Sequence, residues 1–177
     1  MGRVLLWLLA AATLAVYLIM VAWTLPMISA GAGGLAPFDL RPTGYTFDEA
    51  KAFLSALTPD ASAFYRDVQH RLDLFFPGLL GVTVYFAIAG LLPARLGRWR
   101  FVLPLPVALA ALFDWAENAA VSRMLAAGAE GITPELVAEA SRWSVLKAGA
   151  STIAYTALLA LLVFKGVVWL RRRRADV

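Results

Sequence analysis

Cysteine is absent from the 177-residue chain, and histidine occurs once, at His70. The first absence excludes a disulfide scaffold, a thiolate zinc site and a cysteine nucleophile. The second leaves a serine nucleophile only one imidazole to serve as its base. Charge is scarce too: 16% of residues are charged and 61% are hydrophobic, against about 25% and about 45–50% in ordinary soluble domains. That balance excludes a disordered chain and a typical soluble domain. Neither a P-loop nor a Gly-x-Ser-x-Gly elbow occurs, so Ser122, Ser141, Ser144 and Ser151 lack the setting of a nucleophile.

What the chain has instead is long apolar runs. Val4 to Ile28 is 25 positions without a charge, about 37 Å as helix, against a hydrocarbon core of about 30 Å. A second run covers Leu74 to Leu92. A third starts at Phe101 and continues helically through Asp114, Glu117 and Asn118 to about Leu125, and a fourth covers Ala148 to Leu170, broken by Lys165. None alternates as a barrel strand would. The expected fold class is therefore all-α, a polytopic four-helix membrane bundle forming one domain over 1–177, with helices about 4–28, 59–92, 101–125 and 134–170. The first run exceeds the roughly 7–15 residues of a signal-peptide core and reads as a retained anchor, with cleavage near Ala30-Gly31-Ala32 as the alternative.

Lys and Arg placement sets the expected orientation. Arg3, the Arg95/Arg98/Arg100 cluster and Arg171 to Arg174 fall on one side. The other side carries Ser29 to Asp73, with four basic and six acidic residues, and Ala126 to Lys147, with two and three. The positive-inside rule places both termini in the cytoplasm and the protein in the inner (plasma) membrane of a cell. The terminal arginine run reads as an anchor against anionic lipid, with no nucleic-acid partner.

On the outer side, Ser29 to Tyr45 reads as an extended loop, with Phe38 and Tyr45 dipping into the interface. Thr46-Phe47-Asp48-Glu49 is a capping box that starts an amphipathic helix over 47–57. Thr58-Pro59-Asp60 starts the second crossing helix, and Thr133-Pro134-Glu135 repeats that signal before the fourth. A two-hairpin repeat would give this recurrence, as would two ordinary caps.

Asp114, Glu117 and Asn118 share one helix face at i, i+3 and i+4. Each acid at mid-depth costs about 2.5–3.5 kcal/mol, so that face must turn away from lipid. Matching polar residues occur on two other helices: Tyr65, Gln69, His70 and Asp73 on the second, and Lys147, Ser151 and Tyr155 on the fourth. The expectation is a polar pocket in the outer half of the bundle. Asp114, Glu117 and Asp73 are its candidate catalytic carboxylates, and Tyr65, Gln69, His70, Asn118, Lys147, Ser151 and Tyr155 its candidate ligand-binding residues. The competing reading makes the same residues glue between helices. With one imidazole and no close ligand motif, no metal is expected; His70, Asp73, Asp114 and Glu117 are the set a metal would need. No cofactor is expected either.

The patterns Phe38-Asp39…Pro42-x-Gly44-Tyr45, Tyr65-x3-Gln69-x3-Asp73-x2-Phe76-Pro77 and Asp114-x2-Glu117-Asn118 resemble those of a group of bacterial four-helix membrane proteins of uncharacterised activity. The likeness covers most of residues 38 to 150 and implies the architecture and the site residues, but no reaction. Emopamil-binding-type sterol isomerases are similar only in broad plan, few helices with buried acids. The expected function is binding of a small hydrophobic or lipid-like ligand, with membrane lipids as partners. Two alternatives stand beside it: an intramembrane acid/base enzyme (isomerase- or hydrolase-like) acting on a lipid, and a small oligomeric transporter or accessory protein. Gly78/Gly81 and Ala150/Ala154 offer the close contacts a homo-oligomer would use.

Overall fold

The computed structural model describes residues 2–175, and every regular element among them is helical. Four helices are long and apolar enough to cross a membrane: α1 (Val4–Gly31), α3 (Pro59–Leu91), α4 (Trp99–Gly131) and α5 (Pro134–Arg174). Between α1 and α3 lies the short amphipathic α2 (Phe47–Ala56). The chain is thus a multi-pass membrane protein, all-α, with one bundle.

The starts of the helices follow local chemistry. At α2, the Thr46 hydroxyl accepts the Glu49 amide at 3.2 Å while Glu49 Oε2 accepts the Thr46 amide at 2.7 Å, a complete capping box. Thr58 and Thr133 cap α3 and α5 by accepting the Ala61 and Leu136 amides, each at 3.3 Å. In both cases proline occupies the first turn, where no amide donor is needed. The Thr58 amide also donates to the Gly31 carbonyl at 2.9 Å, which ties the end of α1 to the start of α3. That approach needs a glycine: a Cβ at Gly31 would stand 2.2 Å from the Ala61 methyl.

In the bundle, α4 packs along α5 and α3 along α4, while α1 lies against α3. α4 passes Gly78 and Gly81 at ordinary packing distance: a Cβ there would stand 3.4 Å from Trp115 and Ala111, so the approach does not demand glycine. The larger core sits at the end of the bundle where α2 packs, hereafter the loop end, and includes Phe38, Phe53, Tyr65, Met124 and Val137. A smaller core at the other end joins Val84, Ile88, Val107 and Ala154. Large apolar side chains elsewhere on the spans face outward, as they would toward lipid tails.

Several boundaries differ from the sequence reading. α1 runs on to Gly31, so the segment after it is shorter than the expected 29–45 loop, and it carries a 3-10 turn at Phe38–Leu40. Phe38 and Tyr45 do not dip into an interface: they are 0% and 8% exposed, packed at a ring separation of 4.8 Å inside the loop-end core. Burying two aromatics against α2 and α4 removes more apolar surface from water than laying them on a headgroup layer would. α4 begins with a turn at Trp99–Val102 and reaches Gly131 rather than Leu125. Gly128, at φ 67° and ψ 177°, bends its last turn. α5 continues to Ala175.

Candidate functional site

Two π turns start the polar layer. One in α1 (Met20–Thr24) and one in α3 (Tyr65–Gln69) face each other, and each ends on the residue that bridges the two helices. The Thr24 hydroxyl donates to Gln69 Oε1, and Gln69 Nε2 donates to Asp73 Oδ1 at 2.8 Å. Thr24 and Gln69 are fully buried and Asp73 nearly so. A π turn inserts one residue into the helical phase, which re-aims the side chain that follows.

Pro77 shapes the next contact. It lacks the amide that would otherwise bond the Asp73 carbonyl one turn earlier, an expensive vacancy away from water. Asn118 of α4 fills it: its Nδ2 donates to the Asp73 carbonyl at 3.1 Å and also lies 3.3 Å from Asp114 Oδ1. Trp115 Nε1 donates to the neighbouring Leu74 carbonyl at 2.9 Å. α4 is therefore pinned to α3 at the proline.

Toward α5, Lys147 bridges two acids of α4. Its ammonium lies 3.5 Å from Asp114 Oδ1 and in direct contact with Glu117 Oε2. The Ser144 hydroxyl donates to the other Glu117 oxygen. Glu117 is 1% exposed, so each of its oxygens is occupied in a nearly dry setting. From the loop, Asp39 accepts the Tyr65 hydroxyl, and the Tyr45 amide donates to Ser141 of α5 at 2.8 Å. The Tyr45 hydroxyl is buried beside Ser144 and Glu117. Burial, and then the Glu117 carboxylate, hold its phenol well above the ordinary range, so it stays neutral. Arg41 folds back on its own segment, donating to the Ala36 carbonyl at 3.0 and 2.7 Å and covering the rings of Phe38, Tyr45 and Phe53 at 5.5–5.7 Å.

These groups form one end of a cavity of about 250 Å³ between α3, α4 and α5. Its polar end is walled by Asp39, Arg41, Asp114, Glu117, Ser144 and Lys147; its other end is apolar, with Leu80 and Val84 of α3, Val107 and Ala110 of α4, and Ala154 of α5. Pro42 of the loop segment closes the polar end, and Phe76 and Tyr155 stand at the side between α3 and α5. Tyr155 is 44% exposed, which puts that side of the cavity at the bundle surface. The arrangement offers hydrogen-bond acceptors and fixed charge at one end and dispersion contacts at the other.

The residues expected from sequence divide into three groups. Asp114, Glu117, Lys147, Ser151 and Tyr155 line the cavity. Asp73, Gln69, Tyr65 and Asn118 stand behind it and hold the helices together. His70 lies outside that cavity and lines a separate cleft with Asp73, Trp115 and Asn118, its ring 3.1 Å from the Ser122 hydroxyl. No group of three or more His, Cys, Asp or Glu residues able to hold a metal occurs among the described residues, so His70, Asp73, Asp114 and Glu117 do not converge as a metal would need. Arg123, within reach of the acids by sequence, pairs instead with Glu139 at 2.6 Å. The sequence reading missed Thr24, Asp39, Arg41 and Ser144. Asp39 and Arg41 carried a legible signal, a charged pair inside a Gly/Pro-rich stretch bearing two aromatics; Thr24 was hidden in an apolar run. Comparison with known families, with curated proteins and with solved structures finds no match to this chain.

Proposed function

We propose that this protein binds a small, single-chain, lipid-like molecule in the cavity between α3, α4 and α5. The observation that carries the reading is the polarity gradient of the cavity: charged and hydroxylic at the loop end, aliphatic toward the other. A polar head at Asp114, Glu117 and Lys147 would leave an alkyl chain along Leu80, Val84 and Ala154. At about 250 Å³ the space falls just below the roughly 300–1,000 Å³ usual for small-molecule sites, which suits one chain better than two. The surface position of Tyr155 supports entry from the membrane rather than from water.

The reading includes a location. Arg3, Arg95, Arg98, Arg100 and Arg171 to Arg174 lie at the end opposite the loop end, which supports an inner-membrane placement with both termini cytoplasmic and the loop end outward.

Lipid mass spectrometry on protein purified in a mild detergent tests the proposal. Wild type should retain a single-chain amphiphile in near-equal molar amount, and Ala110→Leu, which extends a side chain into the cavity, should lose it. Lipids retained in bulk-membrane proportions by both proteins would overturn the reading.

A further inference from the structure

We infer that the ligand carries a protonated amine, so that the cavity selects a cationic single-chain amphiphile over neutral or anionic ones of equal length. This rests on the proposed ligand-binding reading and names the head group. Three carboxylates line the cavity, Asp39, Asp114 and Glu117, against two cations, Arg41 and Lys147. With all three ionised, one negative charge is left without a partner.

The contacts identify which. Lys147 is shared by Asp114 and Glu117. Arg41 spends its donors on the Ala36 carbonyl and its charge on three aromatic faces, and it forms no ion pair with Asp39. Asp39 receives only the neutral Tyr65 hydroxyl, and no cation pairs with it among the described residues. Behind the cavity wall, the Tyr45 hydroxyl, on a residue 8% exposed, sits beside Ser144 and Glu117 and does not itself line the space.

The unfilled needs at this end are therefore a positive charge and N–H donors. An ammonium supplies one charge and three donors, and Asp39 and Asp114, both lining the cavity, offer carboxylate oxygens to accept them. A sulfate or phosphate would meet Asp39, Asp114 and Glu117 at close range with both cations already engaged. A hydroxyl head would leave the charge unbalanced.

The test compares dodecylamine, dodecanol and dodecyl sulfate, titrated separately into the full chain in a non-ionic detergent, with bound copies counted by native mass spectrometry. Wild type should bind dodecylamine about tenfold more tightly than dodecanol, the worth of one charge-assisted hydrogen bond, and dodecyl sulfate least. Asp39→Asn, which keeps an acceptor for Tyr65, should bring amine and alcohol to within about threefold. Ala110→Leu should lose all specific binding. Equal binding of amine, alcohol and sulfate, or preference for sulfate, would overturn the head-group assignment and leave the cavity reading standing. Binding of none of them, or binding indifferent to Ala110→Leu, would overturn the cavity reading itself.

Discussion

Replacing Asn118 by leucine tests whether a side chain of α4 makes good a backbone bond that Pro77 removes from α3. In wild type the Asn118 amide donates to the Asp73 carbonyl at 3.1 Å and sits 3.3 Å from Asp114. Stranding a buried carbonyl costs about 1–3 kcal/mol, and the longer bond to Asp114 adds about 0.5–1 kcal/mol. Asn118→Leu should therefore destabilise the bundle by about 2–4 kcal/mol. With Pro77→Ala the helix regains its own amide for that carbonyl, and Asn118→Leu should then cost only the Asp114 share. The expected coupling is the carbonyl share, about 1–3 kcal/mol, within the range for contacting residues. Reversible unfolding in mixed dodecyl sulfate and maltoside micelles, followed by tryptophan fluorescence, measures all four corners of the cycle. An equal cost of Asn118→Leu in both backgrounds would refute the role given to Pro77.

Further outcomes follow from the same geometry. Lys147→Met leaves Asp114 and Glu117 facing one another without a cation and should cost about 3–5 kcal/mol in the same unfolding assay; adding Asp114→Asn and Glu117→Gln should recover most of it. Gly31→Ala drives a methyl into the methyl of Ala61 and should lower stability by about 1–3 kcal/mol, with Ala61→Gly restoring it. The Thr46 amide and then its hydroxyl hold the Glu49 carboxyl below its usual range. The α2 capping box is thus complete above the ordinary carboxylate range and opens as pH falls through the lowered value. Hydrogen exchange at the Thr46 amide should speed up as pH falls below the ordinary carboxylate range, and Glu49→Gln should abolish that acid dependence.

The architecture was legible because each crossing declares itself locally. Charge-free runs of sufficient length name the spans, and Thr-Pro-acid signals name where two of them start; α2 follows from its capping box. The polar layer was partly legible, because Asp114 and Glu117 are too costly in lipid to face anywhere but inward. What the runs conceal is helical phase. Two π turns aim Thr24 and Gln69 at each other, and neither turn leaves a mark in hydropathy. The segment before α2 was misread for a related reason: glycine and proline announce a loop, but the tertiary contacts that bury Phe38 and Tyr45 and set Asp39 against Tyr65 come from three other helices. Asn118 was grouped with ligand-facing residues because it shares a face with Asp114, whereas the missing amide of Pro77 draws it to the backbone of α3.

The central claim is that the buried charged side chains gather around a cavity that an alkyl chain enters. A long-chain amine bearing a photoactivatable diazirine at mid-chain, added to the protein in phosphatidylcholine nanodiscs, tests this most directly when the labelled residues are mapped by mass spectrometry. The account predicts labels on Leu80, Val84, Ala110 and Ala154, suppressed by excess dodecylamine and absent in Ala110→Leu. Labels confined to lipid-facing positions such as Phe75, Leu159 and Phe164, unaffected by competitor, would contradict it.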